Sequence, residues 1–384
     1  MKALLIGMEW FPNRAGGLNR YFYEEVHALP AVNMGGTAVV TDLQAGQTAP
    51  LPLRAMCAST GTARDRRIGV RRVVREELNR GVEVVNAHFA LYTYPWLRDL
   101  PAQMPLVFNF QGPWADEMAA EQTGWKSRLR VMVARRIEKK VYARADRIIT
   151  LSDAFAQLAH TRYGVPHDRL RVIPGAVDTK LYTSAPERSI AREQLGWPLD
   201  RPILLAIRRL ARRMGLENLL DAIHQIRKQH PRVLLLIGGK GALAGELQTR
   251  IIQLGLTDHV RLLGFVPQEQ LSLAYAAADL TLVPTVALEG FGLITVESLA
   301  AGTPVMGTPV GGTPEILHGL NPDLVFSAST AAALAEGLDA ALSGRVALPD
   351  RSACRAYATR YDWEVVAPRI RDVFEEARAV RAKA

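Results

Sequence analysis

The sequence predicts two doubly wound α/β domains, each a parallel sheet covered by helices on both faces. Short apolar runs alternate with helix-length segments through the first half of the chain and again through the second, the pattern of parallel strands joined by crossover helices. The chain has 384 residues, beyond the size at which one hydrophobic core usually stops growing. Glycine-bearing loops follow several of the apolar runs, as they do where such a sheet meets a ligand.

Taken in order, Lys2-Ala3-Leu4-Leu5-Ile6-Gly7 reads as a first buried strand; the run is too short for a signal peptide. A helix over 19–29 follows the Gly16-Gly17 loop. Further strands are expected over 37–41, 82–86, 106–110 and 147–150, and a last one over 172–178 that runs into a hinge. The segment 184–197 opens the second unit, with strands over 202–207, 233–238, 260–263, 280–284 and 304–307. Helices lie between them, for example over 216–230 and 271–277. Val366, Ile370, Val373 and Phe374 recur at helical spacing, so 363–384 reads as an amphipathic helix. The expected division is 1–178, 179–362 and a C-terminal helix, 363–384, packing back on the first domain. Two such domains would hold a ligand in a cleft between the carboxyl ends of their strands.

Composition narrows the partners. Hydrophobic residues make up 48% and charged residues 22% of the chain, ordinary for a globular protein. Two cysteines, Cys57 and Cys354, lie far apart, which argues against a disulfide framework or zinc site and fits a reducing, cytoplasmic compartment. No stretch is apolar for the length of a membrane span. The formal charge of +9 favours anionic partners. Without zinc-finger spacing or an aromatic RNA-binding motif, nucleic acid is set aside.

One segment stands out. Glu289 and Glu297 are separated by seven residues, and Gly290-Phe291-Gly292 forms a turn before a helix that starts near Leu293. Ala301-Gly302-Thr303-Pro304-Val305 and Gly311-Gly312-Thr313-Pro314-Glu315 follow. Helix N-termini bind phosphate, and carboxylates accept from sugar hydroxyls. The combination suits a ligand carrying both. The competing reading is two solvated glutamates beside a structural turn.

In these motifs the chain resembles the retaining nucleotide-sugar glycosyltransferases of family 4, with the two-domain GT-B fold. The resemblance covers essentially the whole chain. It makes 1–178 the acceptor-side domain and 179–362 the donor-nucleotide domain. It implies that Glu289 binds donor sugar hydroxyls, that the amides of Gly292 and Leu293 face the diphosphate, and that Glu297 holds the ribose, with Gly290 and Phe291 in the same turn. Arg209, in Ile207-Arg208-Arg209-Leu210, falls on the family's diphosphate-binding arginine. Met214 stands where relatives have a lysine, and Arg213 or Arg212 is expected to replace that charge. Gly16-Gly17 would close over the donor phosphates. Gly238 and Lys240 would approach the donor, and Phe265-Val266 the nucleobase. In Phe110-Gln111-Gly112, Gln111 replaces a histidine of many relatives. Either Gln111 only binds, since an amide cannot act as general base, or His88 supplies an imidazole.

The reaction so implied is hexose transfer, with UDP-glucose as first guess, to a saccharide or lipid-linked hydroxyl. The motif set supplies no obvious carboxylate nucleophile, and the resemblance implies a front-side transfer in which the protein positions and stabilises charge; with no Asp-x-Asp placed like the metal site of other transferases, no metal or other cofactor is expected. Glu289→Ala should abolish it and leave the fold intact. A nucleotide-sugar 2-epimerase and a non-catalytic nucleotide-sugar or polysaccharide binder are the rivals; Gln111 and Met214 favour the latter. Two arginine-rich stretches, 64–75 and 126–140, read either as solvated faces or as contacts to the anionic inner face of the plasma membrane.

Overall fold

The computed structural model describes residues 1–121 and 124–383. The chain divides into two compact units: Met1–Ala176 with the segment from Trp363 onward, and Val177–Asp362.

The first unit holds a seven-stranded sheet of β1 (Lys2–Ile6), β2 (Gly35–Val40), β3 (Leu53–Ala55), β4 (Val84–Ala87), β5 (Leu106–Phe110), β6 (Arg147–Thr150) and β7 (Leu170–Val172). The order is β3-β2-β1-β4-β5-β6-β7, and every pairing is parallel. Helices on both faces bury these strands on both sides, hence runs such as Ala3-Leu4-Leu5-Ile6 with almost no exposure. Two expectations need correction. β3 is a half-buried edge strand of three residues with an arginine at its centre, too short and too polar to be read from periodicity. The strand expected over 172–178 instead ends at Val172. Ile173 still pairs with Thr150, but Pro174 has no N–H to donate. Asp178 then caps the short helix Thr179–Thr183 through its carboxylate.

The helix Trp363–Ala382 belongs to this first unit. Its apolar stripe of Val366, Ile370, Val373 and Phe374 is buried. Ion pairs fix its polar side: Glu376 meets Arg171 at 2.7 Å and Arg147 at 3.0 Å, and Arg381 meets Asp146 at 2.7 Å. At its first turn, Trp363 Nε1 donates to Glu24.

The second unit holds β8 (Ile203–Ile207), β9 (Leu234–Gly238), β10 (Val260–Gly264), β11 (Leu280–Val283) and β12 (Val305–Gly307), in the order β10-β9-β8-β11-β12. All four pairings are parallel. Arg192 locks the start of the central strands. Its guanidinium, 6% exposed, meets Asp279 at 2.6 Å, and Asp279 in turn accepts from the Ile203 amide at 2.6 Å. β8 and β11 therefore begin from one shared carboxylate.

Both sheets reverse winding direction once: between β1 and β4 in the first unit, and between β8 and β11 in the second. The crevice beyond the carboxyl ends of such a strand pair is the ligand position in this architecture.

Two helices of the first unit carry the basic stretches. The helix Trp125–Arg144 leaves Trp125, Leu129, Met132 and Val133 exposed among its arginines and lysines. On the helix Ala63–Leu78, Ile68 is exposed, and Arg71 and Arg75 pair with Asp99. No helix among the described residues is long and apolar enough to cross a membrane.

On the buried face of the helix Trp125–Arg144 is a carboxyl group, Glu138. It accepts from Tyr163 at 2.9 Å, Tyr142 at 3.1 Å and the Ala115 amide at 3.3 Å. Burial outweighs these bonds and pushes its pKa up to about 7. In the unfolded chain a glutamate ionises near 4.5. Between those values the unfolded state has lost a proton that the folded state keeps. The contribution of Glu138 to stability therefore falls as pH rises through this window, by up to about 3 kcal/mol. The stability of Glu138→Gln relative to the parent should rise between pH 4.5 and 7 and level off above. Urea denaturation at a series of pH values checks this; a difference independent of pH would refute it.

Candidate functional site

The second unit places its chemistry at the exits of β8 and β11. Arg208 is the first residue beyond β8, and its side chain is 5% exposed. Its Nη2 donates to Glu289 Oε2, which also accepts from Thr285 Oγ1 at 2.7 Å. The same Nη2 lies 3.1 Å from Met214 Sδ. Arg208 Nη1 is buried and meets no hydrogen-bond partner among the described residues. Glu289 is 8% exposed. Burial raises its pKa, but Arg208, Thr285 and Arg213 together overcome that and hold it below the ordinary glutamate value.

The backbone around Glu289 is built for close approach. Gly312 N donates to the Glu289 carbonyl at 3.1 Å. Gly311 has φ +59°, and a Cβ there would lie 1.7 Å from that carbonyl oxygen. The second glycine loop thus buttresses Glu289 directly. On the other side, Leu288 is held at φ +57°, a strained conformation for a side chain with a Cβ. Arg213 Nη1 pins its carbonyl at 3.0 Å, and the Val286 amide donates to the Arg213 carbonyl at 2.9 Å.

Beyond Glu289, Gly292 starts the helix Leu293–Ala300 with φ +85° and no side-chain cap. Uncapped first-turn amides are the usual anion site of a helix. Thr295 Oγ1, in the same turn, is buried and meets no hydrogen-bond partner among the described residues. Glu297 sits one turn in, buried, and accepts from Tyr275 at 2.8 Å. Gly290 is half-buried in the turn. Phe291 faces the core instead: it is 4% exposed and packs on Tyr361 with ring centroids 5.5 Å apart.

At the exits of β9 and β10, Lys240 Nζ lies 4.9 Å from the centre of the half-exposed Phe265 ring. A side chain at Gly238 would collide with Val266 at 2.7 Å, so the two loops touch. The structure thus brings Gly238, Lys240, Phe265 and Val266 together.

Arg209 is exposed, and the residue that reaches Glu289 is Arg208. Arg212 is also exposed and pairs with Glu217 and Glu246. Arg208 is the guanidinium that lies against Met214, and Arg213 bonds the Leu288 carbonyl. Arg208 was hidden by its neighbour, because two adjacent arginines after a strand point to opposite sides and sequence does not say which points in.

In the first unit, Gly16 and Gly17 are exposed ahead of the helix Gly17–Ala28, which also starts without a side-chain cap. Gln111, just beyond β5, is half-buried, and its Nε2 lies 3.1 Å from His88 Nδ1. His88 is no exposed imidazole. Its side chain is fully buried, and its Nε2 lies 2.8 Å from Glu25 Oε2. Asn86 and Asn109 complete a buried polar cluster. Sequence reading missed Glu25 and Asn109, and gave no role to Asn86 beside His88. The available signal was an asparagine inside each of two otherwise apolar strands.

Two family models account for most of the chain: "Glycosyltransferase Family 4" matches residues 15–181, and "Glycosyl transferases group 1" matches residues 187–361. The chain belongs to glycosyltransferase family 4. Among curated relatives it is 35% identical over 205 residues to the phosphatidyl-myo-inositol mannosyltransferase of Mycobacterium leprae. That match spans 53% of this chain and only 52% of the mannosyltransferase. The fold is that of the sucrose-phosphate synthase of Thermosynechococcus elongatus, with TM-score 0.76 and 22% identity over 99% of this chain and 100% of the other. Anabaena HepE, crystallised with UDP and glucose, matches with TM-score 0.73 and 21% identity over 98% of this chain and 100% of the other.

The Arg208–Glu289 pair revises the expectation for Glu289→Ala. Removing the carboxylate strands a buried guanidinium, so this variant should lose about 3–5 kcal/mol of stability. Adding Arg208→Met, which removes the stranded charge, should recover most of it. Chemical denaturation of the single and double variants decides; a Glu289→Ala protein as stable as its parent would contradict the pairing.

Proposed function

We propose that this chain is a retaining transferase that moves a hexose from a nucleoside-diphosphate sugar to a hydroxyl acceptor in polysaccharide or glycolipid synthesis. The observation that carries this reading is the buried Arg208–Glu289 pair beside an uncapped helix start, in a family 4 chain. Departure of a nucleoside diphosphate builds negative charge. Arg208, with its unpartnered Nη1, and the amides of Leu293 and Ile294 would stabilise it. Glu289 already accepts from Arg208 and Thr285 on Oε2, which leaves Oε1 for a donor sugar hydroxyl. Glu297 would take the ribose, and Lys240 and Phe265 would bound the donor. Arg209 stays a candidate diphosphate contact from its exposed position. The protein's part is positioning and electrostatics through a front-side route, with no metal required. The acceptor would be a saccharide or lipid-linked sugar held by the first unit.

UDP-glucose remains the first donor to test, supported by the HepE complex; the mannosyltransferase relative makes a mannose donor the next. A thermal-shift screen of UDP, GDP and ADP with their hexose conjugates should single out one nucleotide, since a ligand at a hundred times its Kd stabilises by about 2.7 kcal/mol. Arg208→Met should then lower kcat about a hundredfold or more. A protein that binds a nucleotide sugar but neither transfers nor hydrolyses it would make the chain a binder; an epimer formed from the donor alone would make it an epimerase.

The exposed Trp125, Leu129, Met132 and Val133, interleaved with basic residues, support peripheral binding at the anionic inner face of the plasma membrane. Co-sedimentation with vesicles containing anionic lipid should weaken with salt and with Trp125→Ser/Leu129→Ser. Equal sedimentation with neutral vesicles would remove this part of the reading.

A further inference from the structure

The polar cluster of the first unit is not assigned a task by the donor chemistry. It lies at the β1/β4 switch point, where β4 ends and the helix Gly17–Ala28 crosses it. Glu25 comes from that helix, Asn86 and His88 from β4 and its exit, and Asn109 and Gln111 from β5 and its exit. Glu25, Asn86, His88 and Asn109 are all buried, whereas Gln111 is partly open.

The hydrogen bonds have one consistent direction. Asn109 Nδ2 donates to Asn86 Oδ1 at 3.2 Å, and Asn86 Nδ2 donates to Glu25 Oε1 at 3.1 Å. Both amide nitrogens also lie 3.1 Å from His88 Nε2 and each keeps a second hydrogen, so the asparagines do not decide the tautomer; the carboxylate does. Glu25 Oε2 has none of these donors. The group beside it is His88 Nε2, at 2.8 Å, and without a proton there the buried oxygen would have no hydrogen-bond donor among the described residues, which is costly. The proton of a neutral His88 therefore belongs on Nε2, leaving Nδ1 as a bare acceptor. Only the NH2 side of the Gln111 amide can face a bare Nδ1, at 3.1 Å. Its Oε1 must then point the other way. The His88 ring cannot easily turn out of this arrangement, because Phe22 packs edge-on against it at 4.9 Å and Tyr21 lies at 6.1 Å.

We propose that Glu25 and His88 are positioning residues that lock the Gln111 amide so that Oε1 accepts a hydrogen bond from a substrate hydroxyl. The relay begins at a buried carboxylate and ends at a neutral acceptor. It makes Gln111 selective for a hydroxyl donor over an anionic oxygen. The identity of the hydroxyl-bearing ligand as a saccharide rests on the transferase reading above; the orientation of the amide does not.

Nitrogen NMR of the full-length protein with 15N-histidine tests the orientation directly. His88 should carry its proton on Nε2 with an unprotonated Nδ1; the opposite tautomer would overturn the proposal without any variant being made. In Glu25→Gln the new amide can donate as well as accept, so both tautomers should appear. With UDP-glucose or GDP-mannose as donor, Glu25→Gln should lower kcat about tenfold or more, the cost of a misplaced contact, while the donor KM stays within about twofold. An unchanged kcat in a folded variant with mixed tautomers would refute the positioning role. If the parent protein turned over no nucleotide sugar, the transferase reading would fail, and the spectra would still decide whether Glu25 sets the amide.

Discussion

A carboxylate can stay ionised in the interior at the end of β11 only because a guanidinium from the end of β8 meets it. Neither charge would survive there alone. Around the Arg208–Glu289 pair the second unit is arranged as a support. The shared Asp279 sets the starts of both strands, Thr285 supplies a further donor, and Gly311 allows a carbonyl to come close where a Cβ would not fit. The strained Leu288 lies next to Glu289 and is pinned by Arg213. Strain held in place by surrounding bonds is a feature that clusters at ligand sites, and here it adjoins a buried ion pair.

The first unit solves a different problem at the same topological position. Its switch point holds a carboxylate, an imidazole and amides that hydrogen-bond one another and leave an amide at the open end. The second unit offers fixed charge, suited to a phosphate. The first offers a neutral acceptor, suited to a hydroxyl. Each sheet follows the same geometric rule, and the side chains at the reversal decide the chemistry.

Most of the architecture could be read from the sequence because buried parallel strands write themselves as apolar runs. Residues 106–110 and 147–150 were bounded correctly, and the other expected strands within a few residues except the one over 172–178. The misses have local causes. β3 gains its pairing from β2 and not from its own composition, and the segment after β7 stops because Pro174 cannot donate. The turn from Glu289 to Gly292 was legible because glycine spacing before a helix is a backbone requirement written in residue types.

What the sequence alone determined is the family, the two parallel-sheet units and the segment in which the acidic pair and the helix start lie. The family follows from the resemblance of the quoted motifs, and the two units and the helix start from periodicity and from conformations that only certain residues adopt. The tertiary structure alone decided which of two adjacent arginines faces Glu289, that Phe291 is core, and that His88 is enclosed by groups from β5 and from the helix of Glu25. These depend on contacts between residues from 21 to 81 positions apart in the chain. Side-chain direction at a strand exit, and the partner it finds across the sheet, exist only once the strands are aligned.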